Sequence, residues 1–102
     1  MKTYILVKSS CSAINAEDIK VNEILGIFQN ESKAFWECRE INLNAKDNSV
    51  YVLKEINLET NEIQNSYKLN DKNSIIDQNE KLYKIPVFYE NINIKKNNSS
   101  FL

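Results

Sequence analysis

The chain has 102 residues with a net charge of −1, no His, and one each of Gly, Pro, Trp and Met. That length supplies one core and no more, and 42% hydrophobic residues with ten aromatics are enough to build it. Without His there is no Ser-His or Cys-His nucleophile, no His-ligated zinc and no imidazole switch, and one Gly cannot form a phosphate-cradling loop.

Residues 3–8 (TYILVK) read as a buried strand because they are mostly β-branched or aromatic. Residues 9–21 read as a polar connection with one helical turn, where Asn15 is placed to cap Ala16-Glu17-Asp18-Ile19. Residues 22–29 (NEILGIFQ) read as a second strand, in which Gly26 signals a bulge or a close backbone approach. The main helix is expected at about 31–44, with Asn30 as N-cap and Glu31 in the first turn, where the helix dipole favours an anion. At about 100° per residue, Ala34, Cys38, Ile41 and Ala45 share one stripe with Phe35 at its edge. Trp36 and Leu43 fall nearly opposite, flanked by Arg39 and Glu40.

Residues 49–58 alternate, with Val50, Val52, Ile56 and Leu58 on one face and Tyr51, Leu53 and Glu55 on the other. Glu59-Thr60-Asn61-Glu62 joins them to a second alternation, Ile63, Asn65, Tyr67 and Leu69, so a β-hairpin is expected. Residues 70–80 are mostly polar, and 81–94 again favour strand. Pro86 makes that last segment an edge strand or two short strands broken there. The expected fold is an α+β domain over 1–94, a small antiparallel sheet with one helix on one face in the order β-β-α-β-β-β. The tail, 95–102, is expected to be flexible. The sheet face carrying Tyr51, Leu53 and part of the last strand then needs cover, from curling of the sheet or from a partner.

YILVKSS, EILGIF, KAFWECRE and SVYVLKEINLE, over residues 3–59, resemble the β-β-α-β pattern of small uncharacterised proteins of low-GC bacteria and their phages. The resemblance implies a fold and carries no catalytic residues. The excess of Asn, Ile and Lys (16, 13 and 12 residues) matches AT-rich codon usage and points to the same source.

Two groups of residues compete with an ordinary structural role. Trp36, with Arg39, Glu40 and Leu43, is either an exposed partner-binding face or a second-side core covered by the C-terminal segment. Lys81, Tyr83, Lys84, Tyr89, Lys95 and Lys96 interleave aromatic and basic side chains as candidate ligand or nucleic-acid contacts, but the same composition suits a half-buried strand guarded by lysines. No catalytic residue, metal site or cofactor is expected. Cys11 and Cys38 read as reduced thiols, and no apolar run is long enough for a signal h-region or a membrane span, so a cytoplasmic location is expected.

The sequence therefore leads to a non-enzymatic protein-binding domain. Its most concrete form is a phage or mobile-element inhibitor of a host defence system, anti-CRISPR-like, that occludes an effector protein acting on nucleic acid. The near-neutral charge argues against direct nucleic-acid binding. The alternatives are a small-ligand or nucleotide sponge and a structural or regulatory homo-oligomer.

Overall fold

A computed structural model describes residues 2–87. The elements are β1 (Lys2–Lys8), two short 3-10 turns (Ala16–Asp18 and Val21–Glu23), β2 (Ile24–Phe28), α1 (Glu31–Leu43), β3 (Tyr51–Asn57), β4 (Glu62–Asp71), β5 (Ser74–Asp77) and β6 (Leu82–Lys84). The strands form one antiparallel sheet in the order β2-β1-β3-β4-β5-β6. The domain is α+β as expected, with one strand, β5, that the sequence pattern did not reveal.

Asn30 caps α1 as expected, its side chain accepting from the Lys33 N–H at 2.9 Å. At the other end, the Asn42 side chain treats β3 as a strand neighbour would. Its Oδ1 accepts from the Tyr51 N–H at 2.9 Å and its Nδ2 donates to the Tyr51 carbonyl at 2.9 Å, which pins the helix to the sheet. Asn15 is the N-cap of the first 3-10 turn as expected, and its N–H donates to Asp18 Oδ2 at 3.2 Å as one arm of a capping box.

Both faces of the sheet are covered, and the assignment of faces differs from the expected one. Ala34, Phe35, Trp36 and Cys38 of α1 pack with Tyr4, Leu6, Leu53, Tyr67, Ile75 and Ile85, while Tyr51 packs against that cluster. The face with Tyr51 and Leu53, expected to need a partner, is thus the one the helix covers. The Val52 and Ile56 face is covered instead by the 9–21 connection: Ile5, Val7 and Ile56 share a second cluster with Cys11 and Ile19, and Ala13 and Ala16 pack on it. A connection rich in polar residues still closes this face because Cys11, Ala13, Ala16 and Ile19 turn inward, while Ile14 and Val21 stay exposed.

Two further differences have local causes. Gln64 is an extra residue in β4, where Glu55 pairs with Asn65 but Ile56 pairs with Ile63; the bulge moves Ile63 to the face opposite Tyr67 and breaks their expected shared alternation. Ala45 lies beyond the end of α1, so the buried stripe does not reach it. β6 stops at Lys84, before Pro86, and is an edge strand among the described residues, as Pro86 led to expect; residues 88–94 of that expected segment lie outside the described residues. Gly26 sits at the expected bulge, and what approaches it closely is the side chain of Phe28 rather than another backbone. Leu25 beside it is an extra residue relative to β1, and a Cβ at position 26 would come within 2.7 Å of the Phe28 ring.

Candidate functional site

The helix-face group of Trp36, Arg39, Glu40 and Leu43 is brought together, but mostly inward. Of the two settings open to Trp36 the structure shows the covered one: it is 6% exposed and belongs to the core cluster that includes Ile85. The Arg39 guanidinium lies over the indole at 4.9 Å, its Nε donates to the Lys72 carbonyl at 2.6 Å, and its Nη1 meets Glu40 Oε2 at 2.6 Å. Arg39 thereby ties the helix to the turn between β4 and β5. Glu40 stays partly exposed, and Leu43 is half-exposed at the C-terminal end of α1.

Within the aromatic and basic group, Lys81, Tyr83 and Lys84 are described, while Tyr89, Lys95 and Lys96 lie outside the described residues. Tyr83 is not free to stack on a base. Its ring packs on Phe35 at 5.7 Å and on Tyr67 at 5.6 Å, with the Lys81 ammonium 5.2 Å from its centre. The Tyr83 hydroxyl donates to Asp77 Oδ2 at 2.7 Å. Lys84 pairs with Ser74, one residue off the Tyr83–Ile75 pair, and so points to the opposite face of the sheet.

Tyr83 belongs to a set of three phenols that each hold a carboxylate. Tyr4 donates to Glu31 at 2.9 Å and Tyr67 donates to the buried Glu55, which also faces the Lys2 ammonium at 3.7 Å. Burial first, and then these bonds, push the Tyr4 and Tyr67 hydroxyls well above the ordinary phenol range. For Tyr83 the bond to Asp77 comes first and burial second, and its pKa is raised to about 12. Desolvation works against the Asp77 charge, but donation from Tyr83, from the backbone N–H groups of Lys81 and Asn79 and from Asn65 outweighs it and lowers the carboxyl pKa. These phenols stay protonated at neutral pH and serve as hydrogen-bond donors that close a polar layer under the helix.

Two grooves, of about 270 and 300 Å³, share Cys11 and Glu23 as walls. The Cys11 thiol faces Glu23 Oε1 at 3.9 Å. Beneath them the Lys54 ammonium donates to the carbonyls of Cys11 at 3.1 Å and Ala13 at 3.2 Å, which latches the 9–21 connection to the sheet. Cys38 is fully buried, and desolvation raises its thiol to about 12, so it stays a thiol. Among the described residues no group of three His, Cys, Asp or Glu side chains converges to hold a metal ion. None of the described helices is long and apolar enough to cross a membrane.

The two edges of the sheet differ sharply. The β6 edge is three residues long, carries Lys84, and is flanked by Lys81 and Pro86, all of which discourage the addition of another strand. The β2 edge reads ILGIF, and no charged residue occurs from Ile24 to Asn30. Leu25 is 51% and Ile27 59% exposed there, and Val21, just before the strand, is 87% exposed. Ile27 pairs with Ile5, a residue of the second core cluster, so it extends that apolar face to the margin of the sheet. The one guard on β2 is its bulge at Leu25. Sequence reasoning missed Leu25 and Ile27 because an apolar run reads as an interior strand; the available signal was a strand without Lys or Pro close to an N-terminal strand already able to pair on both sides.

No family model, curated protein or solved structure matches the chain. The site is therefore read from its own geometry.

Proposed function

We propose that the chain is a non-enzymatic protein-binding domain whose working surface is the β2 edge, where an extended segment of another polypeptide adds as a seventh strand. The observation that carries this reading is the contrast in guarding: both edges expose apolar side chains, Leu25 and Ile27 on β2 and Leu82 on β6, but only β6 has Lys84, Lys81 and Pro86 on or beside it, whereas β2 is uncharged. Strand addition of this kind draws affinity from main-chain hydrogen bonds and selectivity from alternate side chains. Here Leu25 and Ile27 supply the side-chain part. The chain's small size and net charge of −1 favour a protein surface over nucleic acid as the target.

The test compares protein partners captured by the wild-type chain, by Ile27→Lys and by Leu82→Lys at the guarded edge. Leu82 is as exposed as Ile27, at 59%, so both substitutions are tolerated by the fold. Ile27→Lys is expected to lose a partner that Leu82→Lys retains. Equal capture by all three chains would refute the β2 edge as the binding surface.

A further inference from the structure

Resting on the strand-addition reading, we infer that the strand β2 takes is β2 of a second copy of this chain, so that two six-stranded sheets join edge to edge about a twofold axis. Four observations carry this. First, an antiparallel pairing of the segment with itself opposes no like charges within it, since Ile24 to Asn30 is uncharged; the nearest carboxylates, Glu23 and Glu31, lie outside it. Second, both exposed side chains are aliphatic, so a twofold contact sets Leu25 and Ile27 of one copy against the same apolar patch of the other. Third, a net charge of −1 provides little repulsion between copies. Fourth, the pairing consumes the open edge of each copy and, among the described residues, leaves only the two guarded β6 edges outside. Assembly therefore closes at two and does not run on into a ribbon.

The contact is small, because β2 has only five residues and its bulge bends part of them away. Contacts of this size give weak, concentration-dependent association. The experiment is size exclusion with light scattering on the full chain across a concentration series, with circular dichroism confirming that each variant is folded. The wild-type mass is expected to rise from 11.9 kDa toward twice that value and no further. Ile27→Lys and Leu25→Lys, which place ammonium groups across the axis, are expected to weaken the dimer about tenfold or more, whereas Leu82→Lys leaves it intact. A wild-type chain that stays monomeric throughout the series overturns the second copy as occupant; if Ile27→Lys still abolishes capture of another protein, strand addition itself survives. A wild-type dimer unchanged by Ile27→Lys and Leu25→Lys overturns both. Growth beyond two copies overturns the closed pairing.

Discussion

The guanidinium of Arg39 covers the Trp36 indole at 4.9 Å while its Nε holds the Lys72 carbonyl, so one side chain seals the outer side of the helix and fastens it to the turn between β4 and β5. Trp36 is for that reason a stability residue. Trp36→Ala should cost about 3–5 kcal/mol, the usual range for emptying a buried Trp site. Arg39→Ala should cost about 1 kcal/mol from the lost cation–π contact and hydrogen bond. Arg39→Lys should not restore the loss, because an ammonium cannot lie flat on the indole and still reach the carbonyl. Urea unfolding midpoints of the three variants check this ordering.

Lys54 reaches from β3 to two carbonyls of the 9–21 connection. Lys54→Met keeps the aliphatic stem but leaves both carbonyls without that donor, a loss of about 1–3 kcal/mol. The connection should then open more often than the sheet unfolds. Thiol labelling reads this directly, because Cys11 lies in the connection and Cys38 lies on the buried face of α1. Cys11 is expected to react faster in the variant, with Cys38 unchanged. Parallel acceleration of both would show that Lys54 supports the whole fold and not the connection.

The layer of phenols and carboxylates sets the pH limits of the fold. A phenol whose folded pKa is raised contributes stability that is complete below its ordinary value of 10.0 and is lost as pH rises through the folded value, about 12 for Tyr83. Tyrosinate absorbance should therefore show Tyr4, Tyr67 and Tyr83 titrating late and together with unfolding. Asp77 acts at the other limit. Its lowered pKa contributes stability above its ordinary value of 3.8, lost as pH falls through the lower folded value. Asp77→Asn should flatten the acid side of the stability profile and leave the alkaline side set by Tyr4 and Tyr67.

Much of the fold was legible locally. The capped start of α1 at Asn30, the TYILVK strand and the hairpin between β3 and β4 all rest on signals within a few residues of one another. What was not legible depended on tertiary placement. Alternation in β3 separates Leu53 from Ile56 but does not say which of them meets the helix. Helical spacing sets Trp36 apart from Ala34 and Cys38, yet the core wraps around α1 far enough to include all three. The strand β5 hides because Ile75 and Ile76 are its only apolar residues and side-chain turns flank it, with Asp71 accepting from the Asn73 N–H and Asp77 from the Asn79 N–H. The β2 edge was hidden for a related reason, since position within a sheet is a property of strand order and not of the strand's own residues.

Amide hydrogen exchange along β2 tests the central claim, that this edge is built to take another strand, most directly. At low concentration the β2 amides that point away from β1 should exchange fast, and raising the concentration of the full chain should slow them by about tenfold or more while β6 amides stay unchanged. Slowing at β6 with β2 unaffected would contradict the account.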